Sequence, residues 1–191
     1  MKIEIGAGRN PLPGYVHVDA VMYDEVDVLD DGRTLASFAD GVAQEIYSHW
    51  FFEHVARHEV KPMLANWQRV LAPGGKIRVV TNNHEAHNRC LAEGQISWKE
   101  WSYLIYGNRP GYTIGDLHKC AWNQDTLAEA LRLAGFVEVS VQAQWKCRED
   151  DGRLKCPALI AEARKPGSPR PSNPDRRGEN PVNVGEPERP R

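Results

Sequence analysis

The sequence predicts an α/β protein built on a mostly parallel seven-stranded sheet whose last strand is antiparallel. Three observations carry that expectation. The chain opens on an apolar strand (Ile3, Ile5) that runs into Gly6 and Gly8, and a second short strand at 15–18 ends on Asp19. Across residues 44–81 an apolar strand, a stripe at helical spacing and another apolar strand follow one another, the rhythm of a parallel strand–helix–strand unit. Near the end, two runs at 136–144 and 156–164 flank the turn signal Glu149-Asp150-Asp151-Gly152, which makes a hairpin and sets one strand against the others.

The opening stretch has the parts of half a nucleoside site. In open α/β sheets ligands bind beyond the carboxyl ends of the strands, where glycines let the backbone approach and an acid takes a ribose diol. The dinucleotide fingerprint requires a third glycine, a full helix and an acid about 20 residues on. Here Pro11 stands at the third glycine, Asp19 follows Gly8 by eleven residues, and no full helix fits between them. The link at 9–15 spans at most roughly 25 Å, against roughly 17 Å needed to return along a five-residue strand. A parallel crossover without its helix is therefore feasible, and a nicotinamide site is disfavoured.

The remaining elements follow in order. Residues 26–31 (VDVLDD) predict a short third strand ending in Asp30 and Asp31, and 44–50 (QEIYSHW) a fourth. A helix starting near His58 or Glu59 would hold Pro62 in its first turn, where proline is tolerated. Its apolar face is Val60, Met63, Leu64, Trp67, Val70 and Leu71, and Leu71-Ala72-Pro73-Gly74-Gly75 ends it before a fifth strand at 76–81. From 82 to 122 the pattern loosens into an aromatic-rich insertion with Trp98, Trp101, Tyr103, Tyr106, Tyr112 and Trp122, each of which also reads as core. Within it Ser97 and Glu100 form a capping box for a helix running to Gly107, and 108–119 is a loop of turn formers. A helix at 123–134 presents Leu127, Ala130, Leu131 and Ala134 and closes at Gly135. The strand at 136–144 points Val137, Val139 and Val141 inward, and the 156–164 strand completes the sheet. Residues 166–191, with seven prolines and almost no apolar side chains, are expected to be disordered.

Composition sets the outer limits. The 191 residues, 41% hydrophobic and 26% charged, suit one soluble domain over 1–165. A net charge of -2 gives no bulk attraction to nucleic acid, and no run has the length of a membrane span or the form of a secretory signal. A cytoplasmic location is expected. Cys90, Cys120, Cys147 and Cys156 form no C-x-x-C pair, which suits reduced thiols.

Glu4, Gly6, Gly8 and Asp19 resemble the E/D-x-G-x-G loop and second-strand acid of the class I S-adenosylmethionine (SAM) methyltransferases. The runs EIYSHWFFEH, QRVLAPGG and KIRVV, with the NPLPGY link, look like a subgroup of small methyltransferases in which that link is short. Gln44 and Ala72 depart from the subgroup's usual acid and lysine. The resemblance covers about 1–165 and implies a Rossmann-like class I methyltransferase fold with SAM as cofactor. It implies cofactor contacts at Glu4, Gly6, Ala7, Gly8 and Asp19, at Ser48 and His49 on the fourth strand, and near the adenine at Asp30 or Asp31. For those last two, ungapped alignment favours Asp31, the strand ending favours Asp30, and a plain solvated acidic turn is the alternative. Because the chain begins at its first strand, 82–122 is expected to supply the lid and substrate segment.

The acceptor side is less legible. His54 lies in the E-H pair after the fourth strand, His118 in a D-L-H-K loop resembling a recurrent histidine of the subgroup, and His84 just after the fifth strand. Each is a candidate catalytic base, since imidazole titrates nearest neutral pH, and each also reads as a capping or structural histidine. Glu53 reads as a helix-start residue favoured by the dipole. No metal site is expected. His84, His87 and Cys90 recur at three-residue spacing and His54 and His58 at four, but there is no H-E-x-x-H, no cysteine pair and no clear further ligand beyond His118 or Cys120. The resulting expectation is methyl transfer to a small-molecule or glycan-type acceptor. The alternatives are a non-catalytic SAM-binding or regulatory subunit and, less favoured, a metal-dependent enzyme. Oligomeric state is not legible.

Overall fold

The computed structural model describes residues 1–9, 11–107 and 117–167. Asn10, most of the predicted loop at 108–119 and the Pro-rich stretch from 168 onward lie outside them. One sheet runs β3 (Val28–Leu29), β2 (Val16–Asp19), β1 (Lys2–Ile5), β4 (Ala43–His49), β5 (Leu71–Asn82), β7 (Ala158–Arg164), β6 (Val137–Ala143) in spatial order. Strands β1 to β5 are mutually parallel, and β7 is antiparallel to both of its neighbours. The chain steps outward from β1 to β2 and β3, then returns to the other side of β1 as β4. That reversal is the topological switch point, where open α/β sheets leave a crevice at their carboxyl edge. The described residues between β1 and β2 contain no helix.

Helix α1 (Arg57–Val70) buries Val60, Met63, Leu64, Trp67 and Val70 against the sheet. The Trp67 indole N–H donates to the Gly32 carbonyl at 2.8 Å, which ties the helix to the turn after β3. A Cβ at Gly32 would overlap the Ile5 side chain, so only glycine permits that approach. Two expectations for this region need correction. The helix starts at Arg57, so Pro62 sits at its sixth position; its ring is exposed, and the His58 carbonyl that loses a donor lies on an exposed stretch. Leu71 is the first residue of β5, paired with Ala43, and the bulge at Pro73-Gly74-Gly75 shifts the register to Glu45–Lys76.

Helix α2 (His84–Ala92) was not visible in the sequence pattern. Asn83 caps it by accepting the Ala86 N–H at 3.2 Å, and His84, Ala86, His87 and Cys90 are its buried residues. The three-residue spacing that resembled metal ligands is therefore a helix face packed inward. Helix α3 (Trp98–Tyr106) has the predicted box: Ser97 accepts the Glu100 N–H at 3.2 Å, Glu100 accepts the Ser97 N–H at 2.8 Å, and Gly107 closes it at φ 69°. Helix α4 (Gln124–Leu133) is capped by Asn123 and buries Leu127 and Leu131. In β6, Val139 and Val141 pack on the core as expected, but Val137 is 43% exposed. A bulge between Val137 and Ser140, with Glu138 at φ 53°, breaks the alternation there.

The core lies on one face of the sheet, between Ile3, Ile5, Val18, Ile46, Ile77, Val79 and Ala161 and the helices α1 and α4. The opposite face carries only a small cluster, Tyr47, Val80 and Ala158, joined by Tyr15, Trp50 and Ile160 and by no described helix. Lys2, Lys76, Arg78, Glu162 and Arg164 stand exposed on that face. No described helix is long and apolar enough to cross a membrane.

Candidate active site

The switch point brings two groups of residues to the carboxyl edge. The first is the glycine loop. Gly6 is left-handed at φ 71°, and its N–H and that of Ala7 both reach the Val18 carbonyl, at 2.9 and 3.3 Å. The Gly8 N–H donates to Asp19 Oδ2 at 3.1 Å and the Val21 N–H to Oδ1 at 2.9 Å. The Asp19 carboxylate thus fixes the loop while each oxygen still has accepting capacity.

Other candidates nearby hold the site's frame. Buried Glu4 accepts the Leu12 N–H at 2.7 Å and lies 3.7 Å from His17, so it braces the short link; burial raises its pKa. Asp31 is gripped by Arg33, whose Nε is 3.0 Å and Nη2 2.7 Å from Oδ2, and Arg33 also reaches Glu59 at 2.6 Å. The hydrogen bonds from that guanidinium hold the Asp31 carboxyl below its ordinary range. Among the described residues Asp30 meets backbone only, the N–H groups of Asp31 at 2.7 Å and Ser37 at 2.8 Å. On β4, the Ser48 hydroxyl is buried with no partner among the described residues, while His49 is exposed and lies between Tyr47 and Trp50, at 5.9 and 5.3 Å between ring centres.

The second group gathers on the turn after β4. Residues Phe52–His54 form a single 3-10 turn rather than the start of α1, and Glu53 within it is 1% exposed. Its expected role as a helix-start residue is therefore replaced by a buried one. The Thr81 hydroxyl on β5 donates to Glu53 Oε2 at 2.8 Å. The Glu53 carbonyl accepts the N–H groups of Lys119 at 2.8 Å and Cys120 at 3.2 Å, which draws the segment holding His118 onto this turn. His54 and His118 then stand 5.1 Å apart between ring centres, and His84 lies 6.3 Å from His118. All three predicted histidines are brought together.

Electrostatics set their protonation. Burial pushes the Glu53 carboxyl up to about 7. Burial, then the neighbouring His54 and His84 rings, push His118 down to about 4, and burial also lowers His84. Near neutral pH the site holds neutral His118 and His84 rings beside a carboxyl that readily exchanges its proton. His84 Nδ1 accepts the Trp122 N–H at 3.2 Å, which makes it a strut for the core around Trp122.

The two groups are neighbours. A Cβ on Gly6 would touch the Phe51 side chain at 3.4 Å, and Phe51 leads directly into the Glu53–His54 turn. Sequence reasoning passed over Phe51 and took Glu53 for a helix-start residue. Their only signal was position, immediately after an apolar strand at the switch point.

Solved structures with the same architecture are numerous. A SAM-dependent methyltransferase from Thermotoga maritima, described as a possible histamine N-methyltransferase, superposes with TM-score 0.61 at 16% identity, over 86% of this chain and 81% of its own. One from Archaeoglobus fulgidus gives 0.60 at 15%, over 86% and 85%. The fold is the Rossmann-like methyltransferase fold. The 1,6-didemethyltoxoflavin-N1-methyltransferase of Burkholderia thailandensis, solved with 1,6-didemethyltoxoflavin and S-adenosylhomocysteine, shares it with TM-score 0.58 at 17% identity, over 86% and 70%. No protein-family model matches the sequence, and no curated protein matches it significantly. Within the methyltransferase fold, the glycine loop and Asp19 stand at the end of β1 and β2, and the Glu53–His54–His118 group stands beyond β4 and β5.

Proposed function

We propose that this chain is a SAM-dependent methyltransferase acting on a small-molecule acceptor. The observation that carries the reading is the adjacency, through Phe51, of a glycine loop braced by Asp19 to the Glu53–His54–His118 group, a buried carboxyl beside two half-buried imidazoles. The residues fit the cofactor. Gly8, left-handed and with nothing among the described residues within 4 Å of where a Cβ would stand, leaves room for a ligand, and Asp19 keeps accepting capacity for a ribose diol. Asp30, which meets no cation among the described residues, is the better adenine acceptor, because both oxygens of Asp31 are held by Arg33. Ala7 offers backbone, and Ser48 and His49 lie on the adjoining β4 edge.

When bound, SAM supplies an electrophilic methyl group on a sulfonium. The chain's part is to hold the acceptor in line with it, an effect reaching roughly 7–11 kcal/mol in favourable cases. His54 and His118 stand where an acceptor hydroxyl or amine would meet that edge, and the proton released on transfer passes to this group. A glycan-type or other hydroxyl acceptor makes most use of such a group, and the Burkholderia enzyme's small-molecule ligand supports the small-acceptor class. Residues 82–107 and 117–122 border the acceptor side and form its cover.

Calorimetric titration with SAM and S-adenosylhomocysteine tests the reading, together with labelled-methyl transfer to metabolite pools. Asp19→Ala is expected to weaken SAM affinity about tenfold or more, by roughly one to two charge-assisted hydrogen bonds. Failure of the wild-type chain to bind either ligand overturns the proposal. Binding without transfer to any pool favours the non-catalytic subunit.

A further inference from the structure

The Glu53–His54–His118 group has the composition and the preparation of a metal centre. One carboxylate oxygen and two imidazole nitrogens, one from each residue, all lie within 4.8 Å of one another. Ligands on one tetrahedral ion at about 2.0–2.2 Å stand roughly 3.4 Å apart, so about 1.5 Å of side-chain approach completes the set. The donor set of oxygen and two nitrogens suits zinc and its first-row neighbours rather than magnesium or calcium, which take oxygen.

The surroundings orient the ligands. His54 Nδ1 lies 3.2 Å from the Leu117 carbonyl oxygen, and His118 Nδ1 lies 3.1 Å from that of Ile105. A ring that donates its Nδ1–H to a carbonyl carries its lone pair on Nε2, the arrangement by which backbone carbonyls fix metal-ligating histidines. Asn82 Nδ2 lies 3.0 Å from the same His118 nitrogen, with the amide oxygen held by the Cys156 thiol at 2.8 Å, so this side chain steadies the ring. Thr81 donates to one Glu53 oxygen and so orients the carboxylate, which is 1% exposed and reaches no lysine or arginine among the described residues. His84, His87 and Cys90 take no part; they belong to the inner face of α2.

We infer that Glu53, His54 and His118 bind one divalent first-row cation, zinc being the best fit, with its open coordination position toward the acceptor. The ligand class for that position is a hydroxyl oxygen; this part rests on the methyltransferase reading, whereas the metal site does not. If a hydroxyl acceptor coordinates there, the ion engages the three side chains that would take the proton in the metal-free chain, so the proton leaves to water and the oxygen lone pair forms the new O–CH3 bond. The S–CH3 bond breaks with its electron pair on sulfur, giving the neutral thioether.

The test uses the full chain stripped with chelator and titrated with Zn2+, with Co2+ absorption as a spectroscopic reporter of nitrogen and oxygen ligation. One ion per chain is expected, and Glu53→Gln, His54→Asn and His118→Asn are each expected to weaken it about tenfold or more. His58→Asn, an exposed histidine on α1, should leave binding unchanged. Circular dichroism identifies any variant that fails to fold; His118→Asn, in a half-buried segment, keeps the test open if Glu53→Gln does so. Absence of stoichiometric binding, or binding that survives His54→Asn and His118→Asn in folded protein, overturns the inference. SAM titration of the metal-free chain is scored separately, so a failed cofactor reading leaves a positive Zn2+ result standing, and the reverse.

Discussion

At the scale of single residues, Glu53 and His118 carry opposite acid–base biases within one cluster. In the metal-free chain Glu53 holds its proton up to about pH 7, above its ordinary 4.5, so the folded state binds more protons than the unfolded state between those values. Its contribution is fully present below about pH 4.5 and is lost as pH rises through 7. His118 is biased the other way, with its pKa lowered from 6.5 to about 4. Its contribution is present above 6.5 and lost as pH falls through 4. The two effects oppose each other between about pH 4.5 and 6.5. Single variants should separate them in melting temperatures measured with chelator present. As pH falls across that window, Glu53→Gln should lose stability more steeply than wild type, and His118→Gln should gain relative to it. Parallel profiles for all three proteins would show that the biases are absent. Neither bias was legible in the sequence, because each comes from burial by residues distant in the chain.

At the scale of elements, local chemistry wrote some boundaries and not others. Ser97 and Glu100 fixed the start of α3 because both capping partners lie within one turn, and the structure places them as the spacing required. Ser97→Ala should cost about 1 kcal/mol in urea unfolding, the usual worth of an N-cap. Glu100 also binds Arg148 at 2.8 Å, so a larger loss would show that the cap holds the 148–154 segment as well. Helix α2 was hidden because its buried face is polar: the spacing of His84, His87 and Cys90 was weighed as a ligand pattern and set aside, when it marks a helix face packed beside Trp122 and Cys156. The Val137 error has a similar cause. A bulge at Glu138 resets the period of two, and only the pairing partner, β7, reveals it.

At the scale of the whole molecule, the unusual feature is coverage. Parallel sheets are normally buried on both faces, yet the described helices that pack on this sheet's core lie on one face. The open face carries charged pairs, with Lys2 and Lys76 each 3.5 Å from Glu45 and Arg164 3.2 Å from Glu138. The Arg164–Glu138 pair is exposed on both sides and contributes little, whereas Glu45 is buried beneath its two half-exposed lysines. Arg78→Ser and Arg164→Ser should each change unfolding free energy by no more than about 0.5 kcal/mol. A loss above about 2 kcal/mol would mean that another part of the chain packs on that face.

The sequence by itself determined the order of the strands and of the helices other than α2, the glycine loop with Asp19, the capping box of α3, the closing of the 123–134 helix at Gly135, and the buried stripe of α1. These are short-range patterns, set by steric freedom at glycine, by side-chain caps and by the periodicity of apolar residues. The tertiary structure decided which candidates meet. Glu4 became a brace for the link and Asp31 a partner of Arg33. Glu53, read locally as a helix start, became the buried centre to which His118 is drawn through the Lys119 and Cys120 amides. Residues so far apart are joined by burial and by backbone hydrogen bonds across closed loops, and no local pattern in either segment encodes that contact.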